Sequence, residues 1–409
     1  MLPAMSASRS PLLALVLLAS LTQGAHADPE DTSNLKTTYV SNLYPEDTWN
    51  LNAGIKTSYV SNLFFSPQAF ESSDQITATT VGLKINKPVG LQRFVVDASL
   101  TDNRYRTNDY LDYLGKDLNG AWLWSLTPRV KGNLSANYNE GLNSFIDYRG
   151  RERNLRTTQM YRFDVEGEIA GGFSAIGGVN HSDLKNSEIF IAERDYQANA
   201  AEYGIKYVAS TDSSVTLLGR RTRGEYNQGA DPGGLLESGF DQNDAELRFA
   251  WVATGKSTLV GRLAYINRVS DNYAMRDYSG PVGSLDYLWN VGAKLRINAG
   301  FRQDLVSYQT LEASYYKAQI YSIAPVWQVF GKAALRANYS YENRDYLGAP
   351  VAVLGGRQDT LQQALVAVDW TPLRSLTVSV FVQRQTRNSN RAINDFDYDM
   401  AGISGSLAF

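Results

Sequence analysis

The side chains able to do covalent chemistry are few. The chain has 409 residues, two histidines and no cysteine. His181 precedes Ser182, a pair that invites comparison with hydrolases built on His and Ser. In an extended segment neighbouring side chains point to opposite faces, so this pair cannot hydrogen-bond as base and nucleophile. A metal site would need carboxylates alone, and no spacing marks one. No cofactor is expected. The chemistry that remains is recognition by charge. Arg outnumbers Lys about two to one. Its planar fork binds carboxylate or phosphate at two points. Arg and acids on neighbouring strands also pair to brace a wall, so an Arg-rich face has two readings.

Those residues need elements to position them, and the amino terminus says where the elements act. Arg9 supplies a positive start, Pro11 to Leu21 an apolar run, and Ala25-His26-Ala27 a small-residue cleavage site. This pattern is a secretory signal, with the mature chain expected from Asp28. No later run of 18 apolar residues exists, so no transmembrane helix is expected. Lys and Arg number 39 against 42 Asp and Glu, without basic or acidic blocks, and no nucleic-acid partner is expected. Tyr is frequent at 25 and Pro scarce at 12.

An internal beat of roughly forty residues follows, the length of one hairpin of long strands with its loop. Trp124-Ser-Leu-Thr-Pro-Arg129 recurs as Trp251-Val-Ala-Thr-Gly-Lys256, Trp289-Asn-Val-Gly-Ala-Lys294 and Trp327-Gln-Val-Phe-Gly-Lys332. A shorter version is Trp370-Thr-Pro-Leu-Arg374, and comparable turns lie at Lys87-Pro-Val-Gly90, Ala170-Gly-Gly172 and Ser210-Thr-Asp-Ser213. Between them polarity alternates. Leu295, Ile297, Ala299 and Phe301 oppose Arg296, Asn298, Gly300 and Arg302. At the end of the chain Ala401, Ile403, Gly405, Leu407 and Phe409 share one face, which suits a closing membrane strand and a terminal assembly signal at Leu407 and Phe409. Eight turns predict a transmembrane antiparallel up-and-down β-barrel of about eighteen strands, with sixteen the alternative. The expected organisation is a signal over 1–27, a periplasmic tail over 28–47 and the barrel over 48–409. Leu35 to Tyr44 is nearly repeated as Ile55 to Phe64, which is read as a local duplication or a plug.

Alternation then sorts the residues. The inward set holds Arg93, Arg162, Arg220, Arg248, Arg262, Arg268, Arg296, Arg302, Arg336 and Arg344. It also holds Asp97, Asp164, Glu166, Glu168, Glu202, Glu246, Asp286, Asp304 and Glu342. Trp49, Trp122, Trp124, Trp251, Trp289, Trp327 and Trp370 all fall beside short turns or at the first strand's start, which predicts a periplasmic aromatic girdle. Asn108 to Tyr113, Phe145 to Tyr148 and Asp395 to Tyr398 mix aromatic and acidic residues in the long loops. They are expected to be outer girdle residues, with sugar binding as the alternative.

Several segments resemble a known family. They are Gly90-Leu-Gln-Arg-Phe94, Ala121 to Arg129, Gly141-Leu-Asn-Ser-Phe145 with Arg153 to Thr158, Arg276 to Gly280, Ala324 to Trp327 and Arg344 to Gly348. They are similar to the outer-membrane polysaccharide-export proteins associated with exosortase B, within a broader group of β-barrel porins. The resemblance covers Asp47 to Phe409, and the duplicated segment departs from it. It implies a passive conduit for an extracellular polysaccharide, with periplasmic and inner-membrane export proteins, outer-membrane lipid and the barrel-assembly machinery as partners. The residues themselves argue only for a water-filled barrel. An uptake porin for oligosaccharides or small anions, and a plugged structural barrel, are the other readings. No enzyme is expected.

Overall fold

A computed structural model describes residues 49–148, 150–189, 194–227, 237–351 and 354–409. The export signal, the tail and the first copy of the duplication lie outside the described residues. Eighteen strands run in chain order: β1 (Trp49–Val60), β2 (Asp74–Val89), β3 (Gln92–Tyr105), β4 (Tyr113–Thr127), β5 (Val130–Leu142) and β6 (Leu155–Ala170). Next come β7 (Phe173–Asn186), β8 (Tyr196–Val208), β9 (Ser214–Tyr226), β10 (Gly239–Thr254), β11 (Ser257–Ser270) and β12 (Tyr278–Asn290). The last are β13 (Leu295–Ser307), β14 (Tyr315–Phe330), β15 (Ala333–Leu347), β16 (Gln358–Leu373), β17 (Leu376–Ser389) and β18 (Phe396–Ala408). Each strand pairs antiparallel with its chain neighbours, and β1 pairs with both β2 and β18, so the sheet closes. The eight turns read from the sequence are the eight short connections, and the count of eighteen strands holds.

Both chain ends of the barrel meet at the short-turn end. Leu51 N donates to Phe409 O at 3.2 Å and Phe409 N to Leu51 O at 2.8 Å. Gly90 and Gly171 adopt φ of +60° and +59°, which tight two-residue turns need. Gly172 has φ +85°, and a Cβ there would meet Val208 O at 2.5 Å.

Period 2 decides which face each side chain takes. Leu51, Ile55 and Tyr59 on β1, Leu217 on β9, Leu263 on β11 and Val380 and Val382 on β17 are exposed. Their strand neighbours Ser58, Leu218, Ala264, Phe381 and Gln383 are buried inside. The exterior is apolar, and the interior combines small and apolar side chains with polar ones such as Glu202, Asp244, Glu246 and Gln385.

Glycines sit opposite aromatics across the exterior and interior faces. Trp124 faces Gly132, Tyr203 faces Gly219, Phe240 faces Gly224, Phe249 faces Gly261 and Phe381 faces Gly402. In each pair the ring lies where a glycine Cβ would be. A flat ring over a bare backbone shields the hydrogen bonds below and pins the register.

Two long connections turn inward. Leu63, Phe64 and Phe65, after β1, are buried, as are Phe145, Ile146 and Tyr148, between β5 and β6. Phe64 meets Phe145 edge-on at 5.0 Å, and Phe65 stacks on Tyr398 at 4.7 Å. This corrects the expectation that Phe145 to Tyr148 and Asp395 to Tyr398 are outer girdle residues. An eighteen-stranded barrel has interior volume to fill at its loop end, and these rings fill it. Phe396 and Tyr398 also share alternation with Met400, the inward face of β18.

Replacing Gly132 by Val should displace Trp124 and cost about 1–3 kcal/mol, as overpacked sites do. Equilibrium unfolding of the barrel in lipid or detergent measures it, with Gly167→Ala as a substitution that meets no neighbouring atom.

Candidate functional site

The interior wall is built from alternating charges. On β6, Arg162 pairs with Asp164 and Glu202, each at 2.7 Å. Glu202 also accepts from Arg220 at 2.6 Å, and Arg220 lies 3.6 Å from Asp244. Glu246 bridges Arg262, at 2.8 Å, and Arg248. One run of ion pairs therefore reaches from β6 to Asp244 of β10, and a second joins β10 to β11 at Glu246. Elsewhere Arg336 pairs with Asp369, Arg344 with Glu342 at 2.6 Å, and Arg302 with Asp304 at 3.8 Å.

The other arginines of the sequence-derived set differ. Arg268 donates to Gln242 at 2.8 Å and lies over the Phe240 ring at 3.7 Å. Arg93 donates to Asn86 at 2.6 Å. Arg296 is exposed and makes no ion pair among the described residues. All ten lie on the face opposite the exposed apolar side chains. Seven of them are held by carboxylates, so the wall-bracing reading describes most of the set. Arg93 and Arg296, at the short-turn end, and Arg268 make no ion pair among the described residues, and Arg302, with 44% of its side chain exposed, has its carboxylate partner only at 3.8 Å.

At the loop end the lumen is narrowed by the β5–β6 connection. Its ends are joined where Asn143 N donates to Asn154 O at 2.8 Å. Asp147 at its tip meets Arg344 of β15 at 3.0 Å and Arg387 of β17 at 3.4 Å. Arg387 is fully buried. It donates further to Ile146 O at 2.9 Å and Asn394 O at 2.6 Å. The loop is thus latched to strands far from its own in the chain. Burial, with Glu152 beside it, pushes the Tyr148 phenol up to about 12. Burial likewise raises that of Tyr308. Outside the latch, Phe64, Ser66, Pro67, Phe70, Arg151 and Ile393 line an open cleft of about 250 Å³.

Sequence reasoning missed Asp147, Arg387, Asp369 and Asp244. Alternation was enough to find three of them. Nothing in a loop's local pattern marks Asp147. His181 faces outward, with Nδ1 2.9 Å from Asn199 Oδ1, while Ser182 faces inward, so they form no catalytic pair. All seven Trp lie near the short-turn end on the exterior-facing positions. Trp122 stacks on Phe94 and Trp124 on Phe163, at 6.1 and 5.9 Å. Leu407 and Phe409 are also exposed there.

No family model matches this chain, and no curated protein does. Solved structures do. The crystal structure of OccK9 (OpdG) from Pseudomonas aeruginosa is similar over 88% of this chain and 98% of its own, with 13% identity and a TM-score of 0.51. OccK2 (OpdF) of the same organism, solved in complex with glucuronate, is similar over the same shares, with 10% identity and a TM-score of 0.50. The fold is shared. The chain is a porin-like, closed eighteen-stranded barrel, and identity this low carries nothing further.

Asp147→Ala should release the narrowing loop, because it removes the carboxylate that ties the loop to Arg344 and Arg387, at a cost of roughly 2–5 kcal/mol. Single-channel conductance should rise and protease should cut the 143–154 loop faster, with β-sheet content unchanged. Arg387→Ala should act in the same direction.

Proposed function

We propose that this protein is an outer-membrane channel that admits small hydrophilic solutes by passive diffusion, an uptake porin. The observation that carries the reading is a closed, polar-lined barrel whose mouth is narrowed by a latched loop. An apolar exterior and a Trp-bearing end suit a bilayer with its short turns in the periplasm. An aqueous interior follows from the width of eighteen strands. The narrowing favours small solutes over a polymer. Leu407 and Phe409, exposed on the last strand, fit a signal read by the barrel-assembly machinery. The seven tryptophans fit a girdle contacting outer-membrane lipid.

Selectivity in this reading comes from the cations that the wall's carboxylates hold least closely. Arg296 and Arg302 lie on the same inward row of β13, six residues or about 20 Å apart. With Arg93 they would favour anions weakly, enough to admit and release them. A sugar acid is a sensible probe, since it joins a carboxylate to a hydroxylated ring.

The export conduit implied by the family resemblance remains the second reading. It needs the 143–154 loop to withdraw, and partner proteins in the periplasm and inner membrane to drive the polymer. Deleting the gene separates the two. Slower growth on a limiting anionic solute with normal surface polymer supports uptake. Polymer trapped in the periplasm overturns it in favour of export.

Arg296→Gln with Arg302→Gln should move the reversal potential in a salt gradient toward the cation side, at unchanged conductance within about twofold. Arg336→Gln should instead lower stability, because Arg336 is held against Asp369. An unchanged reversal potential would remove these two arginines from the solute path.

A further inference from the structure

The ladder closes around the barrel, but one joint in it is short. β12 pairs with β11 from Tyr278 to Trp289, and β13 pairs with β14 from Leu295 to Ser307. Between β12 and β13 pairing runs only from Asn290 opposite Arg296 to Gly283 opposite Gln303. It stops short of Tyr278 to Val282 on one side and of Asp304 to Ser307 on the other. Pro281 explains where it stops. In an antiparallel ladder the N–H and C=O of one residue serve the same neighbour. The Pro281 carbonyl faces β13, because it accepts from Gln303 Nε2 at 2.8 Å. The N–H that would complete the next rung is the one proline lacks. Gln319 Nε2 donates in turn to Gln303 Oε1 at 2.8 Å, so side-chain amides stand where a backbone rung would.

Beyond this point the two edges overlap instead of meeting. Leu305 belongs to the outward row of β13, yet it lies over the inward face of β12. A Cβ on Gly280, between buried Tyr278 and Val282, would meet Leu305 Cδ1 at 3.2 Å. Tyr315, on the outward row of β14, packs its ring against Tyr278 at 4.6 Å. Ser307 Oγ lies 3.2 Å from the hydroxyl of Tyr226, an inward residue of β9. The tip of β13 and β14 therefore leans into the lumen, and a lapped seam replaces the sheet. Its faces are apolar, with Ala264, Ile266, Tyr278 and Val282 on one side and Leu305 and Tyr315 on the other. Outside, it opens beside Tyr265 and Val269 of β11, both half exposed. Inside, Arg268 lies over the Tyr278 ring at 5.2 Å and makes no ion pair among the described residues.

A joint held by side-chain amides and apolar packing parts at lower cost than a backbone ladder, whose separation in lipid strands N–H and C=O groups. Parting it connects the lumen with the membrane through a slot that is apolar along its depth and carries one cation at its inner lip. An alkyl chain with a carboxylate head matches both features. We propose that the β12–β13 seam is a side passage of the channel for fatty acids. The carboxylate rests on Arg268, and the chain passes between Leu305 and Tyr315 on one side and Tyr278 and Val282 on the other into the outer leaflet. This proposal rests on the outer-membrane channel reading above.

Uptake of labelled dodecanoate and of gluconate tests it, in a Gram-negative host without a fatty-acid channel of its own in the outer membrane. The chain has no cysteine, so Pro281→Cys with Gln303→Cys can be bridged selectively by a short reducible linker. The wild type should raise dodecanoate uptake above that of the host. The bridge should remove most of that gain, leave gluconate entry unchanged and be reversed by reductant. The same linker between Asn243→Cys and Asn267→Cys, an outward rung of the intact β10–β11 ladder, should change neither solute. Arg268→Gln should raise the half-saturating dodecanoate concentration about tenfold, the loss of one charge-assisted hydrogen bond. Dodecanoate uptake that survives the bridge, or a bridge that lowers both solutes alike, would overturn the proposal. A wild type that admits gluconate but no dodecanoate would overturn it too and leave the channel reading intact. One that admits neither overturns the channel reading itself.

Discussion

Closure of the backbone hydrogen-bond ladder is the constraint on which everything else depends. In hydrocarbon no water satisfies an exposed strand edge, and each orphaned group costs several kcal/mol. The pairing of β1 with β18, from Asn52 opposite Ala408 to Val60 opposite Met400, removes the only two edges this sheet has. Once closed, the sheet has an inside and an outside, and period 2 distributes side chains between them without exception in the long middle of each strand. The apolar belt, the charged ladder and the opposed glycine–aromatic pairs are consequences of that single topological fact.

The same closure explains how much was legible beforehand. Turns carry Gly, Pro or Asp and recur at nearly even spacing, so eighteen strands were countable. Faces were legible because alternation is local: Arg296, Asn298 and Arg302 fall together whatever lies across the barrel. Arg387 and Asp369 were just as readable by that rule, since they alternate with Val380 and Val382 and with Trp370 and Val368. What alternation cannot reach is a loop. Whether Phe145 and Asp147 face lipid, solvent or lumen depends on the volume left by distant strands, and on Arg344 and Arg387 about two hundred residues away in the chain. The aromatic, acidic composition of Phe145 to Tyr148 fits an exterior girdle as well as an interior latch, and only the closed barrel separates them.

The two ends of the barrel use aromatics differently for a physical reason. At the short-turn end the chain has no spare length, so rings can only point outward from strands, where Trp is suited to an interface. At the loop end the chain has length to fold back. Phe65 then buries against Phe396 and Tyr398, and Phe64 against Phe145, and these rings gain more by leaving water than they would at a surface. Their packing narrows the lumen as a by-product of filling it, and the charge pairs at Asp147 fix the result in one place.

An interior this rich in charge need not be strongly selective. Each carboxylate of the β6–β11 ladder is shared by two guanidiniums or paired with one, so its field falls off quickly with distance into the lumen. Water in the channel screens what remains within about a Debye length. Selectivity is then set by the charges the ladder leaves over, not by the total. This separates two roles that composition alone confounds. Arg162, Arg220 and Arg262 hold neighbouring strands at fixed spacing through carboxylates of the adjoining strands. Arg93, Arg296 and Arg302 contribute little to holding the wall and are therefore the positions where a change in charge can alter what passes without altering the barrel that carries it.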